Sequence, residues 1–361
     1  MLKLTPREVA LRRVRAQRIA SSRFTEPAEV VRWLGAMQAQ DYLGALWAVG
    51  LRMTRAVEAD VERALRERTI VRTWPMRGTL HFVAAADARW LVGLLAQRVV
   101  AGAAGRFRAL GLDAKTFARA ERAVVKALEG RQLTRPAVYQ ALERAGISPA
   151  GQRGIHILFR LAHERVLCFG PREGRQHTFT LLDEWLGAAP RDTRSREESL
   201  RELAVRYVTG HGPATPADLA WWAGLPKADA TQAIAAAGPV LERADVAGRA
   251  HWLAAETGAS ATLPGSHALP AFDELLVAFA DRSAALDPRH QEKLNPGGNG
   301  ILNPVILVDG QVAGTWKRAL TKRAVRVTPS FFARLPKRRA VRVDQALRRY
   351  AAFLGLPLER D

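Results

Sequence analysis

Residues 69–83 read TIVRTWPMRGTLHFV. Two β-type runs flank a break at Pro75–Gly78, which is the pattern of a hairpin. Working back from it, Val57, Val61 and Leu65 recur at four-residue spacing on one helix. An earlier helix begins near Pro27 and carries Val30, Val31, Leu34 and Met37 on one face. At the start of the chain Thr5, Pro6 and Glu8 stand as N-cap, first-turn proline and capping-box acid of another. Helix, helix, helix, hairpin is the order of a winged helix.

The order returns twice downstream. Phe117, Val124 and Leu128 mark a helix, Arg135–Leu142 a short one, and Ile155, Leu158, Phe159, Ala162 and Val166 a third. The runs VLCF (166–169) and TFTL (178–181) then flank the tip GPREGRQH, with Arg172, Arg175 and His177. Beyond the polar linker APRDTRSREE (189–198), a helix shows Leu200, Leu203, Ala204, Tyr207 and Val208. GPATPADLAWWAGL (212–225) is a capped short helix with a Gly turn, and VLERADVAGRAHWLA (240–254) closes as a third hairpin. The order of elements repeats; the sequence does not. From about Leu263 the pattern changes, with LPAFDELLVAFADRS (269–283), a loop over His290–Pro304, and VILVDGQVAGTWKR (305–318). Asp309-Gly310 between β-branched runs predicts a tight hairpin turn, and Arg342–Leu354 a terminal amphipathic helix. The expected fold is α+β and helix-dominated. It comprises three tandem winged-helix units (1–112, 113–190 and 196–262) and a C-terminal β-rich region (263–361).

The 361 residues carry 55 Lys+Arg against 35 Asp+Glu, a net charge of +20 at pH 7. Only 8 of the basic residues are Lys, so genomic bias accounts for Arg replacing Lys but not for the surplus of base. The favoured partner is a polyanion, because basic side chains that neutralise phosphates release condensed counterions. The single cysteine, Cys168, excludes an internal disulfide framework and a cysteine-rich zinc site. No window approaches ~18 uninterrupted apolar residues, so no membrane span is expected. MLKLTPREVALRRV is charged where a signal peptide needs an apolar core, which argues for the cytoplasm.

Phosphate-loop, dinucleotide-fold and zincin motifs are absent from the sequence. GGNG at 297–300 has no strand-to-helix context. The informative stretch is WLGAMQAQDYLGALWAVGLR (33–52). Together with residues 69–83 and the 269–283 and 305–318 blocks, it closely resembles the AlkZ/YcaQ-like family of winged-helix DNA glycosylases. The resemblance extends over essentially the whole chain. It implies a C-shaped, DNA-binding scaffold of three winged helices in a monomer. It also implies excision of N-alkylated purines, with interstrand crosslinks unhooked by some members, and no cofactor or metal. The family's Gln-apolar-Gln motif matches Gln38-Ala39-Gln40, which would be catalytic. One branch carries Asp at the second position, and Gln here places the chain nearer the crosslink-unhooking branch.

Two glutamines suit that chemistry. Alkylation at N7 already charges the leaving base, so no general acid is required. What remains is to stabilise an oxocarbenium-like sugar and to place water at C1′. A neutral amide offers both an acceptor and a donor for this. Residues two apart share a side only in extended chain, so the helix must end or distort around Met37–Asp41. Asp41 is read as initiating the next turn through its side chain, with a role as base the alternative.

Candidate DNA contacts are Arg77 and His81 on the first hairpin, Arg153 and Arg160 around the third helix of the second unit, and Arg172 and Arg175 on its wing. Arg282, Lys317 and Arg318 complete the set. His156, Arg160 and His163 share one helix face, solvated or on phosphate. Adjacent Asp273 and Glu274 must point apart, which favours a structural salt bridge, with Arg282 the expected partner, over a metal pair. Within 290–304, His290, Lys293, Asn295 and Asn299 make a lesion-probing loop or a plain connector. The competing function is a non-catalytic winged-helix regulator, which would have no use for Gln38-Ala39-Gln40.

Overall fold

A computed structural model describes residues 2–187, 192–255, 265–298 and 300–359. The fold is α+β with helices predominating, and none of the described helices is long and apolar enough to cross a membrane. The chain packs as two compact units, residues 1–61 with 200–361, and residues 62–199. Spatial grouping therefore departs from serial order, because the first unit takes in both ends of the chain.

In the first unit, helix Pro6–Ala16 starts as its sequence dictates: Glu8 N–H donates to Thr5 Oγ1 (3.3 Å) and Thr5 N–H returns a bond to Glu8 Oε2 (2.7 Å). Helices Pro27–Leu34 and Tyr42–Leu51 follow. Val57, 45% exposed, precedes helix Glu58–Arg66, whose residues are shared between the two units, so only Val61 and Leu65 of the expected stripe are buried. Helix Arg196–His211 buries Leu203, Ala204, Tyr207 and Val208, and Thr215 with Asp218 caps helix Pro216–Ala223. Helix Lys227–Ala237 leads into the hairpin Leu241–Val246/Arg249–Ala254. A five-stranded sheet (266–269, 305–308, 311–320, 325–331, 358–359, in that spatial order) carries helix Lys337–Phe353. Its Asp309-Gly310 turn forms as expected, with both φ positive and Val308 opposite Gln311.

Two indole N–H groups lock this unit. Trp47 donates to Ala268 O (2.7 Å) and Trp316 to Leu269 O (2.8 Å), while both rings meet Tyr350 edge-on. A buried indole needs such an acceptor.

The second unit begins within helix Glu58–Arg66 and continues into the hairpin Ile70–Met76/Thr79–Ala84, whose register shifts between Thr73 and Met76. The irregularity spans Pro75, which has no N–H for a ladder. A 25-residue helix, Ala85–Ala109, comes next. Then follow helix Ala114–Leu128, strand Leu133–Thr134, helices Arg135–Arg144 and Arg153–His163, and hairpin Leu167–Glu173/Gln176–Leu181. Strand Leu133–Thr134 pairs with Thr178–Phe179 of that hairpin. The core gathers Trp74, Phe107, Phe117, Leu158, Phe169 and Phe179, so Trp74 packs inside, 5.0 Å from the Phe169 ring.

Candidate active site

Pro27 opens its helix at N1, and Val30, Val31 and Leu34 bury one face. Gly35, at φ +75°, stops it. Met37–Gln38 is extended, and Asp41 (φ −84°, ψ 98°) is the N-cap of Tyr42–Leu51. Gln38-Ala39-Gln40 therefore lies in non-helical chain between two helices. Burial alternates along it: Met37 and Ala39 are buried, Gln38 is half-buried and Gln40 exposed. Extended chain puts alternate residues on one side, which is the local condition for two glutamines to serve one site. Helix Pro27–Leu34 ends three residues before Met37, which the sequence stripe had included.

The polar surroundings of Gln38 are unusual. Its backbone N–H donates to Glu274 Oε1 (2.8 Å). Its side-chain Oε1 is enclosed with no hydrogen-bond partner among the described residues. Glu274 is 1% exposed; its Oε2 accepts from Trp222 Nε1 (3.0 Å) and lies 3.5 Å from His211 Nε2. Asp273 turns the other way, to Arg52, whose Nη1 and Nη2 donate to Oδ2 and Oδ1 (2.8 and 2.9 Å). The two carboxylates point apart as adjacency requires, and the salt bridge of Asp273 is to Arg52. Arg282 gives Nε to Leu276 O (2.7 Å).

Asp41 makes no side-chain cap bond. Its carboxylate faces Arg318 instead, which also donates Nη1 to Tyr350 Oη (2.9 Å). The expected Asp-initiated turn is thus backbone only, with Ala45 N–H on Asp41 O (2.8 Å).

The other sequence-predicted residues scatter. His81 is wholly buried, with Nδ1 on Thr79 O (2.9 Å) and Nε2 3.4 Å from Arg77 Nη2, so it is no surface contact. Arg77 is half-buried in the hairpin turn at φ +54°. Arg153 donates to carbonyls of Ser148, Leu110 and Gly111, fastening the helix ends together. Arg160 pairs with Glu164 and Arg172 with Glu62. His163 is buried and bonded to Phe159 O (2.7 Å), while His156 is half-buried, so neither belongs to a solvated face. Arg175 and Lys317 remain exposed, on a hairpin tip and a strand. The His290 ring lies tilted against Phe332 (centroids 4.3 Å), Lys293 Nζ sits 5.1 Å from the same ring, and Asn295 is half-buried. Asn299 and residues 189–191 of the linker lie outside the described residues.

Glu274, Trp222, His211 and Arg52 were not singled out by sequence as part of this site. Only the DELL and AWW runs marked their neighbourhoods as apolar with embedded polarity.

A family model described as DNA glycosylase AlkZ-like matches residues 31–353. A curated relative from Streptomyces sahachiroi, named an interstrand DNA cross-link repair glycosylase, is 27% identical over 345 residues, or 91% of each chain. The solved structure of the Streptomyces sahachiroi DNA glycosylase AlkZ superposes with a TM-score of 0.82 at 25% identity and covers 100% of both chains.

Proposed function

This chain belongs to the AlkZ-like family of DNA glycosylases, and from that premise we propose that it is a monofunctional enzyme hydrolysing the N-glycosidic bond of N7-alkylated purines in double-stranded DNA, including purines in interstrand crosslinks. The observation that carries this reading is the placement of Gln38-Ala39-Gln40 in non-helical chain between two helices, where extended backbone sets alternate residues on one side. Two neutral amides on one side can accept from water and face positive charge.

The cationic base leaves without protonation, taking the bonding electron pair, and the sugar becomes oxocarbenium-like. The Gln38 and Gln40 carbonyls face that developing charge and accept hydrogen bonds from the attacking water, which forms the C1′–O bond as the C1′–N bond breaks and releases its proton to solvent. The leaving group already carries its charge, so the step asks for no metal or cofactor.

Three winged-helix units are the architecture this reading entails. In the second, the short strand Leu133–Thr134 pairs back onto the wing; in the third, Ala214 bridges Trp252 in the same place. The related crosslink glycosylase supports the bulkier substrate. A crosslinked base cannot swing free of its partner strand, so base flipping into a closed pocket does not serve it, and an open site does. The enzyme acts as a monomer on nucleoid DNA in the cytoplasm. Release of 7-methylguanine from methylated DNA tests the assignment. Gln38→Ala and Gln40→Ala should slow release strongly while leaving DNA affinity and melting temperature nearly unchanged. Full activity in the double variant overturns it.

A further inference from the structure

We propose that Glu274 is a positioning residue that sets the place of Gln38 through its backbone, with Asp273 holding the far end of the same segment. The proposal rests on the reading of Gln38 as catalytic. Between Gly35 and Asp41 the chain has no helix to bond its amides. The Gln38 N–H therefore takes a side-chain acceptor, and a carboxylate gives a short, charge-assisted bond.

That carboxylate is itself immobilised. Its second oxygen accepts from Trp222 Nε1, and Trp222 is fully buried against the rings of Tyr207 (5.0 Å) and His211 (5.4 Å). His211 directs Nδ1 at Tyr207 O (3.1 Å). A carbonyl only accepts, so Nδ1 carries the hydrogen and Nε2 faces Glu274. Displacing the Glu274 carboxylate would orphan two buried N–H groups at once, which is costly.

Asp273 acts at the other end. Arg52 closes helix Tyr42–Leu51, giving Nη1 to Ala48 O (2.9 Å) and both Nη groups to Asp273. One dipeptide thus grips the chain at Gln38, at the entrance to the motif, and at the end of the helix that follows it. Neither carboxylate need touch DNA. Their effect is geometric, and a misplacement of about 1 Å can cost ~100-fold in rate.

Glu274→Gln tests this with near-identical volume. Its single amide oxygen can accept from Gln38 N–H or from Trp222 Nε1, not both, so one donor is left facing an NH₂. Single-turnover release of 7-methylguanine should fall about 100-fold, with DNA Kd within about twofold. Combined with Gln38→Ala, it should add no further loss, since both changes act through one group. A wild-type rate in Glu274→Gln, or losses that multiply in the double variant, overturns the proposal. Full activity in Gln38→Ala alone would instead remove the catalytic reading beneath it. Amide exchange at Gln38 in the wild-type protein decides the matter even if the variant does not fold. The N–H should be protected like core amides, and exchange at open-loop rates overturns the clamp.

Discussion

Arg318 stands over Asp41, its Nη2 3.4 Å from each carboxylate oxygen, immediately after the two glutamines in sequence. The side chains are 20% and 33% exposed, so the pair is neither dry nor fully screened. Lys317, one residue earlier on the same strand, points the other way into solvent. The two cations therefore have separable duties.

Arg318→Ala should lower unfolding free energy by about 1 kcal/mol, with the salt dependence of DNA binding unchanged. Lys317→Ala should leave stability alone and reduce the slope of log K against log salt by about 0.9, the value of one phosphate contact. Urea titrations and binding isotherms at several NaCl concentrations read both. The reverse pattern would assign Arg318 to the DNA.

Acid should loosen the fold before carboxylates titrate. His177 is pushed down to about 4, by burial first and then by Arg72, Arg172 and Arg135. His267 is also pushed down to about 4, by burial and then by Arg349 and Arg52. In the unfolded chain both take up protons near the ordinary value of about 6.5. Between these values the unfolded state binds more protons, so stability is fully present above about pH 6.5 and is lost as pH falls towards 4. Melting temperatures at pH 7.5 and 4.5 should differ less in a His177→Gln/His267→Gln variant. An equal drop in wild type and variant removes these two histidines as the cause.

The Arg52–Asp273 pair is 0% exposed on both sides. Asp273→Asn should cost about 3–5 kcal/mol, because it strands a buried guanidinium. A loss below about 1 kcal/mol would mean that water reaches the pair.

What was legible in the sequence was local. The Thr5/Glu8 and Thr215/Asp218 caps, the Asp-Gly turn and the hairpin at 69–83 are each decided by residues a few positions apart. Helix Tyr42–Leu51 was not legible, because Gly44–Leu51 is buried on every side and shows no contrasting face. Nor were the partners of Asp273 and Glu274, which lie 221 and 236 residues away in Arg52 and Gln38. The local partners of the arginines were illegible for a related reason: composition counts charges but does not show that Arg153 donates to carbonyls or that Arg172 pairs with Glu62. In the motif itself, sequence required the break at Met37–Asp41, whereas the carboxylate behind it took the tertiary fold to find.

The loop at 290–304 is less free than its glycines suggest. Leu294 is fully buried, Asn303 N–H donates to Leu294 O (2.8 Å), and Asn303 Nδ2 donates to Lys293 O (3.1 Å). With the His290 ring packed against Phe332, both ends are anchored, and Pro296–Gly298 are exposed. Replacing the whole loop would strip core contacts and confound any assay. Exchanging Pro296–Gly298 for Gly-Ser-Gly leaves every anchor in place. If this tip probes the duplex, crosslink unhooking should fall several-fold while 7-methylguanine release and thermal stability hold, since only a crosslink distorts both strands. Equal loss on both substrates would indicate damage to the shared site, and no loss on either would make the tip a connector.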